Sequence, residues 1–276
     1  MSLFMENTQM KWTKSDLLIM EFIENHTDDF LFMSIGQLAQ HLQVSEATIS
    51  RFARHMGYHD FKEMKSDIVG KKSGRGAAGK IAGTLLKDTS FDVAKWFSFQ
   101  QECAAKTLDH LNSEQFNAAA EAIMSAKRIY IHAKNASAAA AELLFFRLRR
   151  LGLDTALVPS GGSEVVEGIA HAQEGDLAII FSFSKVSAEG QFILDYAKTA
   201  GYKTLALTSR LHAPCEQRAD INLYVYRGEK EEYHSLSSAV ILIDALILAI
   251  SEKMKSSAVQ RLRKIQKLKD DYKNKK

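Results

Sequence analysis

The sequence predicts an all-α N-terminal domain built around a helix-turn-helix, followed by a three-layer α/β domain whose five parallel strands form a doubly wound sheet. Three observations predict it. The first 70 residues repeat helix-capping pairs and a 3.6-residue apolar period. From residue 127, short apolar runs alternate with amphipathic stretches, the pattern of parallel strands joined by helices. Between the two lies a segment rich in glycine and basic residues. The length of 276 residues fits two domains of about 100 to 200 residues each.

Taken in order, Thr13 with Asp16, Ser34 with Gln37 and Asp60 with Glu63 each place a capping side chain three residues ahead of an acid or amide. That spacing satisfies free amides at a helix start. Leu18/Phe22 and Ile19/Ile23 pair at i,i+4, and Ile35/Leu38/Ala39/Leu42 and Ile49/Phe52/Ala53/Met56 follow the helical period. Gly70 to Gly83 reads as a flexible connection and marks the domain boundary. Residues 84–125 read as helical, with Trp96, Phe97, Phe99, Leu108, Leu111, Phe116 and Ile123 as the apolar face. The strands are predicted at 128–133, 154–159, 176–183, 203–209 and 220–226, with helices at 137–151, 163–172, 188–200 and 235–253. The resulting division is a head at 1–76, a helical connector at 77–126, the α/β domain at 127–254 and a basic tail at 255–276. In a doubly wound sheet, ligands bind outside the carboxyl ends of the strands, so a binding site is expected there.

Composition excludes several classes. A hydrophobic fraction of 46%, 25% charged residues and two prolines describe a folded chain, not a fibrous or disordered one. Cys103 and Cys215 have no metal-ligand spacing and form no disulfide framework, so both are expected to be small buried hydrophobes, with no metal site and no cofactor. No membrane span and no signal-peptide pattern is seen, so a cytoplasmic location is expected. Met1 to Phe4, ahead of a second methionine, are left out of the fold reasoning. The net charge of +3 is concentrated at one end: residues 253–276 carry 10 basic and 2 acidic groups, whereas residues 1–75 carry 9 and 10. Bulk charge therefore does not by itself make the chain a nucleic-acid binder. The tail, with Ala258, Leu262, Ile265 and Leu268 on one stripe, reads as a solubilising, partly frayed helix.

Ser34 to His55, SIGQLAQHLQVSEATISRFARH, carries the residue chemistry of a helix-turn-helix. Ala39 is small where two helices touch, Leu38 and Leu42 fill the first helix's inner side, Val44 plugs the turn, and Ile49 and Phe52 anchor the second helix. Ser45 caps that helix, which leaves Glu46, Ala47, Thr48, Ser50, Arg51 and Arg54 toward the outside, where a recognition helix meets base edges and phosphates. Ser34, at the start of the first helix, and Ser45 complete the predicted DNA-contacting set. Gln43 stands where the turn often holds glycine to reach a left-handed backbone.

The stretch VSEATISRFARHMGYHDFKEMK resembles the N-terminal domain of the RpiR family of bacterial transcription regulators, in which a helix-turn-helix precedes a sugar isomerase (SIS) domain. Arg51 and Phe52 fall on the family's Arg-Phe pair, and Gly57 and Phe61 on its glycine and phenylalanine after the recognition helix. The α/β half is similar to the SIS domain. The resemblance implies double-stranded DNA as partner, read as an inverted repeat by a homodimer or homotetramer, and a phosphosugar-like anionic effector.

Two loops match the places where SIS domains hold phosphosugars. The first, His132-Ala133-Lys134-Asn135-Ala136-Ser137, has His132 and Lys134 where the family pattern has glycines. The second, Ser182-Phe183-Ser184-Lys185-Val186-Ser187-Ala188-Glu189, is similar to S-x-S-G-x-T-x-E, with Lys185 at the glycine and Ser187 for threonine. Hydroxyls and amides at a strand end before a helix are the donors a phosphate needs. The predicted effector residues are Ser137, Ser182, Ser184, Lys185, Ser187, His132 and Lys134. The two lysines either replace lost backbone donors with charge or fill the pocket.

Glu164/Glu167 read as a solvated helix face, and His234, Ser235, Ser237 and Ser238 as helix capping. No nucleophile, base and orienting acid can be assembled, so no catalytic residue is assigned and the chain is not read as an enzyme. The expected function is a DNA-binding transcriptional regulator of sugar metabolism that senses a phosphorylated sugar or amino sugar. The alternatives are a sugar-phosphate isomerase with an accessory domain and a regulator with a degenerate, non-sensing SIS domain.

Overall fold

The computed structural model describes residues 12–72, 77–85, 91–230 and 232–274. Met1 to Phe4 and the glycine-rich centre of the predicted connection, residues 73–76, lie outside them. The chain divides into two compact units, Met1–Trp96 with Gly228–His234, and Phe97–Arg227 with Ser235–Lys276.

The first unit is helical, with α1 Lys14–Asn25, α2 Thr27–Phe32, α3 Ile35–Leu42, α4 Glu46–His55, α5 Phe61–Lys72 and α6 Ala77–Leu85. Two of the three capping pairs close reciprocally. Asp16 donates its amide to Thr13 Oγ1 at 3.2 Å while Thr13 donates to Asp16 Oδ2 at 2.9 Å, and Ser34 with Gln37 repeats this at 3.2 and 2.7 Å. Each such cap is worth about 1 kcal/mol. The third is shifted by one residue. Glu63 donates its amide to Asp60, but its carboxylate accepts from the amide of His59 at 2.6 Å.

The core of this unit is Ile19, Phe22, Ile23, Phe30, Leu38, Ile49, Phe52, Met64 and Ile68. Asp16 ties α1 to α4 through His55 Nδ1 at 3.1 Å. Burial alone raises the Asp16 pKa, yet the Thr13 amide and hydroxyl together with His55 outweigh it and hold the carboxyl below its ordinary value. Lys65 is buried with its Nζ donating to the Met33 carbonyl between the rings of Phe30 and Phe61, and burial pushes its pKa down to about 8. The first unit also takes in Gly228–His234, where Tyr233 donates its amide to Thr84 Oγ1 at 2.6 Å and Lys80 Nζ meets His234 Nδ1 at 2.7 Å.

The predicted flexible connection is largely helical where it is described, because α5 runs on to Lys72 and α6 begins at Ala77. Alanines 77, 78 and 82 favour the helix enough to carry Gly79 and Gly83 inside it, at about 1 kcal/mol each.

The second unit contains most of α7 Val93–Asp109, then α8 Ser113–Ser125, β1 Ile129–His132, α9 Ser137–Arg150, β2 Thr155–Val158, α10 Glu164–Ile169, β3 Leu177–Phe181, α11 Ala188–Ala200, β4 Lys203–Thr208, β5 Ile221–Tyr224, α12 Ser237–Met254 and α13 Ser256–Lys273. The five strands form one parallel sheet in the order β2-β1-β3-β4-β5. Ile129, Ile131, Leu177, Ile179, Leu205, Leu207 and Leu223 face α8, α9 and α12, whereas Tyr130, Ala178, Ile180 and Ala206 face α10 and α11. Both faces are thus covered, which is why the strands read as apolar runs rather than as alternating ones. The predicted three-layer, doubly wound architecture is the one observed.

The basic tail is helical as expected, over 18 residues, with its first turns held by buried Ala258 and by Arg261, which donates to the Leu151 carbonyl at 2.6 Å. Two expectations change. The helix predicted at 163–172 is shortened to α10, six residues long. Cys103 is buried as expected, but Cys215 is exposed in the loop between β4 and β5. Among the described residues, no helix is long and apolar enough to cross a membrane.

Candidate functional site

The helix-turn-helix is closed by the residue that departs from the usual glycine. Gln43 takes φ 54° and ψ 40°, the left-handed conformation, and the next amide, that of Val44, donates to the Ala39 carbonyl at 3.0 Å. A side chain there costs about 1 kcal/mol relative to glycine. Ser45 then caps α4 by accepting from the Thr48 amide at 3.1 Å. Ile49, Phe52 and Ala53 turn into the core, while Glu46, Ala47, Arg51 and Arg54 are exposed and Ser50 is half-buried.

Arg51 lies along its own helix, with Nε donating to the Ala47 carbonyl and Nη2 to Thr48 Oγ1, both at 3.3 Å. The Arg54 guanidinium has no hydrogen-bond or ion-pair partner among the described residues. Ser34 engages its oxygen as a helix cap, which leaves its hydroxyl hydrogen to donate outward, whereas the Ser45 hydroxyl also meets Thr48 Oγ1 at 2.9 Å. The Glu46 carboxylate rests over Gly36, where a Cβ would come within 2.8 Å of its Oε1 and displace the end of that side chain. Gly57, at φ 89°, ends α4 in the left-handed cap expected of it, and Phe61 meets Phe30 edge-on at 6.0 Å.

In the second unit, the strand order puts the reversal of winding between β1 and β3, the crevice where open α/β sheets bind ligands. Both predicted loops start there. Ser182 donates its hydroxyl to the Lys185 carbonyl at 3.0 Å, which folds the β3 loop back on itself. Ser187 caps α11 by accepting from the Gly190 amide at 3.0 Å. Ser137 opens α9 without a side-chain cap ahead of it, and the hydroxyls of Ser137 and Ser184 and the ammonium of Lys185 have no partner among the described residues. Asn135 stands at φ 53°, a conformation asparagine tolerates better than most side chains. The recess behind Ser182, lined also by Val186, Thr208 and Arg210, holds only about 10 Å³, room for a single water, so a sugar has to sit in front of the loops.

The two lysines do not act as a pair. Lys134 reaches across the crevice to Glu189, Nζ to Oε1 at 2.7 Å, and this ammonium holds the Glu189 carboxyl down at about 2. Beneath them His132 is buried, 2% exposed, and among the described residues neither ring nitrogen makes a well-formed hydrogen bond, its weak contact being with the Pro159 carbonyl. Burial lowers its pKa, while the Pro159 carbonyl and the Glu189 carboxylate pull the other way. The imidazole is therefore neutral at pH 7.

Sequence reading missed three parts of this crevice. Glu189 was read only as a pattern match, not as the counter-charge of Lys134. Gly161, in the loop after β2, brings backbone to the same pair, since a Cβ there would lie 3.6 Å from Glu189 Oε1 and 4.0 Å from Lys134 Nζ. The Ser160-Gly161-Gly162-Ser163 run after an apolar strand was the available signal. Arg227, just past β5, places its guanidinium 3.8 Å over the Phe183 ring, and nothing in the local sequence announces that contact.

Comparison with known proteins agrees with these geometries. Residues 1–74 match the helix-turn-helix domain of the rpiR family, and residues 122–249 match the SIS domain. An uncharacterized HTH-type transcriptional regulator of Clostridium perfringens is 26% identical over 93% of this chain and 94% of its own length. Another, from Caldanaerobacter subterraneus subsp. tengcongensis, is 27% identical over 91% and 90%. Among solved structures, the sugar isomerase domain of an RpiR transcription factor from Sphaerobacter thermophilus covers 63% of this chain and 97% of its own, at 26% identity and a TM-score of 0.59. The Vibrio vulnificus NanR protein, solved in complex with ManNAc-6P, has the same fold over 93% of both chains, at 19% identity and a TM-score of 0.59. With a helix-turn-helix head and a SIS domain in that order, the chain belongs to the RpiR family of transcriptional regulators.

Proposed function

We propose that this regulator senses a phosphorylated sugar or amino sugar at the β1/β3 crevice, and that the ligand changes the affinity of the helix-turn-helix for an inverted-repeat operator. The observation that supports the reading is the strand order β2-β1-β3-β4-β5, since the loops carrying Ser137 and Ser182–Ser187 follow β1 and β3, the strands that flank the reversal of winding. The NanR structure, whose fold this chain shares, holds a phosphosugar, which supports the same class of ligand. Ser137, Ser184 and Ser187 offer hydroxyls, Lys185 an ammonium without a partner among the described residues, and α9 and α11 their N-termini. Lys134 reaches an anion only by leaving Glu189. His132 lies under the phosphate side. The head is assigned to residues 1–76, the connector to 77–126, effector binding and assembly to 127–254, and the basic tail to 255–276. A homodimer or homotetramer presents two heads to the operator.

One observation favours a second reading, a SIS domain that assembles the protein without sensing. Lysines occupy two positions where the family pattern has glycine, and one of them already holds its own counter-ion at 2.7 Å. Calorimetry on the full-length protein with glucosamine 6-phosphate and N-acetylmannosamine 6-phosphate separates the two. Sensing predicts binding that Ser184→Ala weakens by about 1 to 2 kcal/mol and Lys185→Gly weakens by at least as much, because a charge-assisted contact exceeds a neutral one. Binding that appears or strengthens only in Lys185→Gly identifies the lysine as a plug.

A further inference from the structure

We propose that Arg227 is an anion-binding residue of the effector crevice, its guanidinium held over the Phe183 ring to take the phosphate of a phosphomonoester. The proposal rests on the sensor reading above and adds a residue from β5 that neither matched loop contains.

Arg227 lies three residues beyond β5, on the carboxyl side of the sheet, with its Cζ 3.8 Å from the centroid of the Phe183 ring. Phe183 is 4% exposed and belongs to the loop that carries Ser182, Ser184 and Lys185. Its carbonyl accepts from the Ser209 amide at 3.0 Å, and its ring is held by burial and by Phe181, which meets it edge-on at 6.1 Å. A guanidinium packed over a ring leaves the N–H groups at its edge directed sideways rather than into the ring, and that planar fork is suited to bidentate contact with phosphate.

The charge is also unneutralised. Arg227 makes no ion pair among the described residues, and its Nε is buried without a hydrogen-bond partner. Burial pushes its pKa down to about 10, which still leaves it charged at neutral pH. A half-buried cation without a counter-charge is destabilising, and such an arrangement is retained where a ligand supplies the charge. The other arginines with an unpartnered Nε differ in place. Arg147 and Arg150 stand in the last turn of α9, where helix carbonyls favour cations, and Arg147 has Asp244 at 3.7 Å.

The test uses Arg227→Met in the full-length protein. Methionine keeps an apolar stem on Phe183 and removes the uncompensated charge, so the variant is expected to melt at or above the wild-type temperature. Titration with glucosamine 6-phosphate and with inorganic phosphate, at constant ionic strength, should show affinity reduced about tenfold or more in Arg227→Met, with Arg227→Lys intermediate. If Arg227→Met binds both probes as tightly as the wild type while Ser184→Ala is weakened, the crevice stands and Arg227 is not part of it. A lower melting temperature in Arg227→Met, with full affinity in Arg227→Lys, assigns the arginine to packing and also overturns the proposal. Failure of the wild type to bind either probe removes the sensor reading, and this assignment with it.

Discussion

Replacing Arg51 and Arg54 together by alanine is expected to reduce operator affinity by about 2 to 5 kcal/mol, since each bidentate contact to guanine or phosphate is worth about 1 to 3 kcal/mol. The loss should be seen without unfolding. Both side chains are exposed, Arg51 bonds only within α4, and the buried face of that helix is Ile49, Phe52 and Ala53. Fluorescence anisotropy on a footprinted operator, at fixed salt, measures the loss. A change equal for all sequences and accompanied by a shallower salt dependence indicates phosphate contacts; one confined to particular base pairs indicates base reading. The operator itself should be an inverted repeat with half-site centres about 34 Å, or a multiple of that, apart. Undiminished affinity in the double variant means that α4 is not the recognition helix.

The second large effect is expected at His132, where stability and function should separate. A buried imidazole with no well-formed hydrogen bond among the described residues is destabilising, so His132→Leu should raise the stability of the full-length protein by about 1 to 2 kcal/mol at pH 7.5. The pH dependence follows from the direction of the shift. The folded-state pKa lies below the ordinary value, so as pH falls through about 6.5 the unfolded chain takes up the proton first and the folded state loses stability. The advantage of His132→Leu should therefore widen between pH 7 and pH 5.5 in urea unfolding. A constant difference across that range contradicts a buried, neutral imidazole. If His132 also contacts the effector, the stabilised variant should bind glucosamine 6-phosphate more weakly. Unchanged binding confines the residue to the sheet.

Much of this molecule was legible in its sequence because its elements are locally consistent. Strand runs such as Leu177–Phe181 are apolar throughout, since helices cover both sides of the sheet, and the helix-turn-helix carries its cap, turn plug and small residue at fixed spacing. Even the departure at Gln43 was readable, as a side chain placed in a backbone region that favours glycine. What was not legible was contact between distant segments. Lys134 and Glu189 are 55 residues apart, and their pairing follows from β1 and β3 being neighbours, which no local pattern states. The same holds for Arg227 on Phe183, which spans the end of β4. The helical course of the chain up to Lys72 and from Ala77 was hidden by glycines whose helix cost the surrounding alanines offset.

The central claim is that occupancy of the crevice at the β1/β3 reversal is felt by the DNA-binding head. Its most direct test is operator affinity of the full-length protein, measured by fluorescence anisotropy while glucosamine 6-phosphate or N-acetylmannosamine 6-phosphate is titrated. The account predicts a saturable change of about fivefold or more, in either direction, that is lost in Lys185→Gly and in Arg227→Met. Calorimetric binding of the phosphosugar with no change in operator affinity contradicts it.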